Sequence, residues 1–288
     1  MVSVFAGCKV VEAAPDWITA TGKGAEQCES IVQIGESILA ERQGSGYYGA
    51  KAGFQGYRGF GAEGCFYGIR QDGACLRVSG AIARQACESI RDAELHVTRF
   101  DLQTTVQLNK DAVRLARRLV DDVRREHTGR SGRSQRATKL IDAGSNGSTA
   151  YFGARSAPLY CRIYDKHRES AGTYSAGAWR AEAEYKRALA TATFKRAGEQ
   201  DYRPSICASL VRASLARCGI NLLYATLSDE KLPQVPRVQT DVERQLAWLR
   251  DTVAPVLRKL YSAGYHDEAT NALYAWLMPE AIDELAGA

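Results

Sequence analysis

Hydrophobic and polar positions alternate with a period of two most clearly between Tyr151 and Lys186. Successive strand side chains point to opposite faces. In the run Tyr160–Lys166, Arg162, Tyr164 and Lys166 therefore share one face, and Cys161, Ile163 and Asp165 the other. In Trp179–Lys186, Arg180, Glu182, Glu184 and Lys186 share a face opposite Ala181, Ala183 and Tyr185. Residues 167 to 173, which include Gly172, suit a hairpin connection. Paired, the two strands set a tyrosine between two cations and beside two carboxylates. Such a face is either an ordinary solvated sheet surface or a place where tyrosine attacks a phosphodiester.

The remaining pattern alternates strands with amphipathic helices. A short strand is expected at 16–21, and a helix at Cys28–Glu41, where Ile31, Ile34, Ile38 and Leu39 fall at helical spacing. Gly44–Gly64 is Gly-rich, with Tyr47, Tyr48, Phe54, Tyr57 and Phe60 among Lys51 and Arg58. It reads as a mobile loop or an irregular strand pair, because Gly opposes regular structure. Aromatics beside cations can stack single-stranded bases, and more commonly anchor a loop to the core. Gln71-Asp72-Gly73 between Cys65–Arg70 and Ala74–Ser79 signals a hairpin. A helix at Ala81–Asp92 and a long strand at Glu94–Leu108 follow, the latter with Arg99, Asp101, Gln103 and Thr105 on one face. Asp111–His127 is a helical pattern, and 129–136 a basic loop. Two further strands near 138–143 and 149–152 lead back to the central stretch. After Lys186 the pattern is helical: Pro204–Arg217, Val238–Ser262 with Pro255 inside it, and Tyr265–Leu277, with Leu232–Pro236 as a stiff linker. The predicted fold is α+β, a largely antiparallel central sheet with flanking helices plus a C-terminal helical module. The expected division is 1–200 for the sheet domain and 201–288 for the helical module, which either packs on the sheet or serves self-association.

Composition adds charge placement. The 288 residues are 45% hydrophobic and 25% charged, an ordinary globular balance, sufficient for one large domain or two small ones. No apolar run reaches the roughly 18 residues of a membrane span, and no basic leader precedes the short apolar start, so no secretion signal is expected. The net charge is +5, yet residues 110–139 alone carry ten Lys/Arg against four Asp/Glu. Residues 201–288 carry nine basic against eleven acidic side chains. Positive charge is thus concentrated as a phosphate-backbone footprint would be; a solvated helix face with a basic loop would have the same composition. The eight Cys are scattered without a C-x-x-C pair, which argues against structural zinc and for free thiols in a reducing cytoplasm.

Gly153-Ala154-Arg155-Ser156 followed by Arg162-Ile163-Tyr164-Asp165-Lys166 and Glu169 resembles the "G-S-R-x-S…R-I-Y-x-K-x-x-E" block of the replication initiation factor family. These are rolling-circle initiators of pT181-type plasmids and filamentous phages. Trp179–Lys186 is similar to the family's "W-R-x-E-x-E-x-K" strand. Asp16–Thr21, Val78-Ser79-Gly80 and Arg99-Phe100-Asp101 resemble its "D-W-L-x-x-T", "L-S-G" and "R-x-D" blocks, in the family's order, over roughly 16–187. Ala154 replaces the usual Ser, and Thr105 stands where many members carry a second Asp.

The resemblance implies a nicking-endonuclease-like fold and a replication initiator that nicks and rejoins one strand at a double-strand origin. Tyr164 is implied as the nucleophile, giving a 5′-phosphotyrosyl link and a free 3′-OH. A free tyrosine, with a pKa of about 10, is a poor nucleophile at neutral pH; Lys166 and Arg162 on its face would favour the phenolate and stabilise charge on the phosphate. Asp101, Glu182 and Glu184 are the candidate ligands for Mg²⁺ or Mn²⁺, hard ions that prefer carboxylate oxygen, and Gln103 could add a neutral oxygen. Either glutamate could instead pair with Arg180, Lys186 or Arg99. An Asp inside an apolar, Thr-rich strand disfavours that strand unless it has a task, which favours Asp101. The four histidines, 96, 127, 167 and 266, form no His-apolar-His pair, so a two-histidine metal site is not built locally. Arg99, Arg155, Arg180 and Lys186 are candidate phosphate contacts near the nick. Arg114, Arg117, Arg118, Arg130, Arg133 and Arg136 would hold flanking DNA without sequence preference. Implied partners are origin DNA, single-stranded at the nick, a host replicative helicase and a second copy of the chain, in the host bacterial cytoplasm. The alternative is a DNA-binding regulator on the same scaffold without nicking activity. A tyrosine recombinase would need a dispersed Arg/His set and a tyrosine near the C-terminus, and the last hundred or so residues carry no such set.

Overall fold

The structure, a computed structural model, describes residues 2–4, 8–41, 50–108, 138–142, 148–222, 231–234, 253–268 and 270–271. The expected helix Asp111–His127, the basic loop 129–136, and with them Arg114, Arg117, Arg118, Arg130, Arg133 and Arg136 lie outside the described residues. So do Tyr47, Tyr48 and most of the two C-terminal helical patterns.

In chain order the elements are β1 (Val2–Val4), β2 (Lys9–Gly22), α1 (Ala25–Glu41), β3 (Ala50–Phe54), β4 (Tyr57–Ala62), β5 (Cys65–Arg70), β6 (Gly73–Ser79), α2 (Ala81–Asp92), β7 (His96–Gln107), β8 (Thr138–Asp142), β9 (Ser148–Phe152), β10 (Leu159–Asp165), α3 (Lys166–Glu169), β11 (Ala178–Lys186), α4 (Ala188–Gly198), α5 (Pro204–Arg217), β12 (Ile220–Leu222) and α6 (Ala254–Ser262). Ten strands form one antiparallel sheet in the order β3-β4-β5-β6-β2-β7-β11-β10-β9-β8. β1 and β12 pair in parallel apart from it. The predicted α+β class with an antiparallel sheet is the observed one. The chain forms two compact units, Met1–Val235 and Pro236–Ala288. α5 therefore belongs to the first unit, and the division falls beyond residue 200. In the second unit, α6 is described.

Residues 50–62 of the Gly-rich segment form the β3–β4 hairpin. Gln55 and Gly56 both adopt positive φ (49° and 83°) between the pair Phe54 and Tyr57, as a two-residue turn between right-twisted strands requires. Glycine is needed at Gly59, where a Cβ would meet the Tyr67 carbonyl at 1.9 Å.

One face of the sheet is apolar. Ile18, Leu76, Phe100, Leu102, Cys161, Ile163, Ala183 and Tyr185 are all fully buried on it. Helices cover it because these side chains must leave water, each worth roughly 1.5–3 kcal/mol when large and fully buried. α1 packs on β5 and β6 and α5 on β2, β7, β10 and β11. Phe194 of α4 meets Phe100 edge to face at 5.3 Å, and the Tyr185 hydroxyl lies 2.6 Å from Ser214 Oγ of α5. β2 is longer than the predicted 16–21 and carries register shifts at Val10/Glu12, Pro15/Trp17 and Thr19/Ala20. Pro15 lies beyond the end of the β2–β6 ladder, which starts at Trp17 and Ser79, so its missing N–H costs no hydrogen bond on that side. Among the described residues no helix is long and apolar enough to cross a membrane.

Candidate active site

The opposite face carries the chemistry, and strand register assembles it. Tyr164 lies beside Arg180, which lies beside Thr105 and then Glu12. Next along, Arg162 faces Glu182, then Gln103 and Ala14; one step further Tyr160 faces Glu184, then Asp101 and Trp17. Residues more than eighty positions apart are thus neighbours because β10, β11, β7 and β2 are adjacent.

Tyr164 is 7% exposed and its hydroxyl donates to Glu182 Oε1. Glu182, 3% exposed, also accepts from Arg162 at Oε2. Arg162 and the Lys166 ammonium each lie 5.7 Å from the Tyr164 ring centre. Burial, then the negative charge and hydrogen bond of Glu182, push the Tyr164 phenol well above its usual range, and Arg180 and Arg162 offset this only in part. The expectation that neighbouring cations favour a phenolate is therefore corrected. The nearest charged atoms to the hydroxyl are carboxylate oxygens, so the phenol is held protonated against an acceptor.

Lys166 does not continue β10. The strand ends at Asp165, whose Oδ1 accepts from the Arg168 amide at 3.1 Å and caps α3. A capping Asp ends a strand as readily as it starts a helix. Lys166 nonetheless reaches the same side, pairing with Glu169 at 2.6 Å and lying 5.5 Å from the Tyr174 ring centre. His167 places Nδ1 2.6 Å from the Tyr174 carbonyl oxygen rather than near the Tyr164 hydroxyl's partner Glu182.

Asp101 is held by both arms of Arg99, Nε at 2.9 Å and Nη2 at 2.6 Å, and the same Nη2 lies 3.3 Å from Glu184. Lys186 holds Glu184 at 2.8 Å and donates to the backbone carbonyl of Arg155. Arg155 itself is exposed. Asp101 is 3% exposed; burial, opposed by Arg99 and reinforced by Glu184 and Glu182, raises its carboxyl to about 7. Gln103 is fully buried; its Oε1 accepts from Thr105 at 3.0 Å, and its Nε2 has no hydrogen-bond partner among the described residues. Arg180 is fixed by Thr105 Oγ1 at 2.9 Å, Glu12 Oε2 at 3.0 Å and the Tyr174 hydroxyl at 2.8 Å. Thr105 thus serves as an acceptor that aims Arg180.

In kind, the donor set of Asp101, Glu182, Glu184 and the Gln103 amide fits a hard divalent cation. The raised Asp101 carboxyl marks buried charge that Arg99 offsets only in part, whereas the Gln103 nitrogen is a donor and adds nothing to a cation's shell. As arranged, the cation between Asp101 and Glu184 is the Arg99 guanidinium, and among the described residues no three His, Cys, Asp or Glu form an ion-holding group.

Two members of the constellation are not singled out by the sequence pattern. Glu12 bridges Arg180 and Arg84 of α2, and Tyr174 donates to Glu12 at 2.9 Å. The signal for Glu12 is the one that marks Asp101, an acid within an apolar strand. Tyr174 sits in an irregular connection, where periodicity says nothing.

No known protein family and no curated protein matches the chain by sequence. Among solved structures it is similar to the rolling circle replication initiator protein from Geobacillus stearothermophilus, with a TM-score of 0.49 and 17% identity over 83% of this chain and 96% of that one. So distant a likeness bears on neither chemistry nor partners.

Proposed function

We propose that the chain is a DNA-nicking enzyme of the rolling-circle initiator kind, with Tyr164 as nucleophile and Glu182 as its general base. The observation that carries this is the Tyr164 hydroxyl donating to Glu182 within a row of Arg162, Arg180 and Lys166. A neutral phenol needs an adjacent acceptor to attack at neutral pH. The Tyr164 oxygen attacks phosphorus as its proton passes to Glu182. The phosphorus–O3′ bond breaks, the 3′ oxygen leaves as a hydroxyl by taking a proton from solvent water, and a 5′-phosphotyrosyl ester remains. Arg162, Arg180 and Lys166 offer donors to the phosphoryl oxygens as charge builds there. The ester conserves the bond energy, so a 3′-OH can reverse the step without a nucleotide cofactor.

Asp101, Glu182 and Glu184 are the residues that would hold Mg²⁺ or Mn²⁺, with Gln103 beside them. Such an ion supplies Lewis-acid polarisation of a phosphoryl oxygen. Arg99 must then turn from Asp101, and its release toward DNA phosphate is consistent with its 29% side-chain exposure.

A second reading, a DNA-binding protein on the same scaffold that does not nick, is favoured by the deep burial of Tyr164. The deciding experiment incubates the protein and Tyr164→Phe with supercoiled DNA spanning its own coding region, with and without Mn²⁺, on denaturing gels. A covalent protein–DNA band that requires Tyr164 supports nicking. DNA binding without a covalent species supports the second reading. A band surviving Tyr164→Phe transfers the role to another tyrosine, Tyr160 first.

A further inference from the structure

The polar face of the sheet continues beyond the active site. Register carries it across β2 and β6 to the β3–β4 hairpin, where Trp17, Arg77, Phe66, Tyr57 and Phe54 stand on the side that bears Asp101 and Tyr164. Arg77 is surrounded by rings: its guanidinium carbon lies 4.6 Å from the Phe54 ring centre, 5.4 Å from Trp17 and 5.9 Å from Phe66. Arg99 lies 4.6 Å from the same Trp17 ring. Trp17, Phe54 and Arg77 are half-buried, while Phe66 and Tyr57 are buried beneath them and brace the layer, Phe54 meeting Phe66 edge to face at 5.9 Å.

Arg77 differs from every cation at the active site. Arg99, Arg162, Arg180 and Lys186 each have a carboxylate. Arg77 has no carboxylate and no hydrogen-bond acceptor among the described residues. Guanidinium donors without such a partner match phosphate oxygens.

We propose that Trp17, Phe54 and Arg77 form a shelf for single-stranded DNA, on which bases stack and Arg77 takes a backbone phosphate. The proposal rests on the nicking reading for the identity of the nucleic acid. Charge selects a polyanion, and half-buried rings beside that charge select unpaired bases, since a duplex hides its base faces. Arg77 lies four strand steps from Tyr164 in the sheet order, roughly 19 Å at a strand spacing of about 4.8 Å. One strand reaching both would therefore span several nucleotides.

The test uses the full chain carrying Tyr164→Phe, so that binding is read without cleavage, and a fluorescent thymidine oligonucleotide about 16 nucleotides long. Arg77→Gln should weaken binding by about tenfold and make the dependence of log affinity on log salt shallower by about 0.7, the loss of one single-strand phosphate contact. Arg77→Lys should keep the salt slope. Trp17→Leu should weaken binding with the slope unchanged, and Trp17→Phe should restore most of it. Circular dichroism and melting of each variant separate folding from binding. The shelf is overturned if the parent does not bind the oligonucleotide, if it binds duplex equally well, or if Arg77→Gln and Trp17→Leu bind as the parent does. The two proposals fail separately. Loss of binding in Arg77→Gln with no covalent band from the chain that retains Tyr164 keeps the shelf and rejects nicking. A Tyr164-dependent band with Arg77→Gln binding unchanged does the reverse.

Discussion

Replacing Glu182 with Gln isolates the role of its charge. The amide keeps the size of the side chain and can still accept the Tyr164 hydrogen bond, but it cannot take the proton. A positioned general base contributes about 10²–10⁴ in rate, or ~2.7–5.5 kcal/mol at ~1.36 kcal/mol per tenfold. The structural cost is smaller. Glu182 is almost fully buried, but its partner Arg162 is 40% exposed and can be satisfied by water; the lost pair is worth about 1 kcal/mol after solvent screening. The Tyr164 phenol should titrate lower in the variant, since the Glu182 charge is one cause of its elevation, while burial, the first cause, persists. The assay is single-turnover covalent capture across a Mn²⁺ titration, with urea unfolding alongside. The expected result is a loss of at least about a hundredfold in rate, at every Mn²⁺ concentration, with unfolding little changed. Capture within about threefold of the parent refutes the base assignment. Rescue at high Mn²⁺ refutes it in another way, because it would make Glu182 chiefly a metal ligand.

Three further outcomes are expected. Arg99→Gln removes the cation bridging Asp101 and Glu184, so Mn²⁺ should bind on the order of tenfold more tightly by calorimetry; unchanged or weaker binding would remove these carboxylates from the metal site. Asp101 titrates at about 7 in the folded chain against a usual value of 3.8. The folded state therefore holds the proton more tightly than the unfolded chain. Its contribution to stability is full below about pH 4 and is lost as pH rises through about 7, by at most about 4 kcal/mol. Urea unfolding from pH 5 to 8 should show this decline, and Asp101→Asn should flatten it; equal slopes would contradict the assignment. In α1, a Cβ at Gly35 would lie 2.3 Å from the Tyr67 ring, so Gly35→Ala should destabilise by about 1–3 kcal/mol despite the better helix propensity of Ala, and a higher melting temperature would show that the α1–β5 contact can relax.

Period-two alternation is enough to read β10 and β11 and to place Glu182 and Glu184 on one side, because a buried face and a polar face leave opposite marks on alternate residues. The same count groups Arg99, Asp101, Gln103 and Thr105, and the ladder sets them beside Glu184, Glu182 and Arg180. The Asp-Gly hairpin is legible for the same local reason. What period cannot supply is partner choice. Nothing in β2 alone says that Glu12 faces Thr105 and Arg180, since that depends on a bulge between Val10 and Glu12 and on β7 lying next to β11. Gly-rich β3 and β4 are ambiguous in sequence because glycines that permit close strand approach look like glycines that prevent structure.

The titration of Tyr164 is illegible in the sequence for a related reason. A sequence shows which charges are near a residue, but a pKa depends on which charge touches the titrating atom and on how much water remains. Arg162 and Lys166 are near the ring of Tyr164, whereas Glu182 meets its hydroxyl. On the nicking reading proposed above, the cations would act on the phosphate and the carboxylate on the proton. On that reading, separating these two tasks would let the phenol stay neutral and unreactive until an anion draws Arg162 from Glu182, at which point the freed carboxylate would become a stronger base. The row of paired charges is thus better suited to a nucleophile kept at rest than a bare tyrosine among cations would be, since a standing phenolate would carry a continuous desolvation cost in the same buried place.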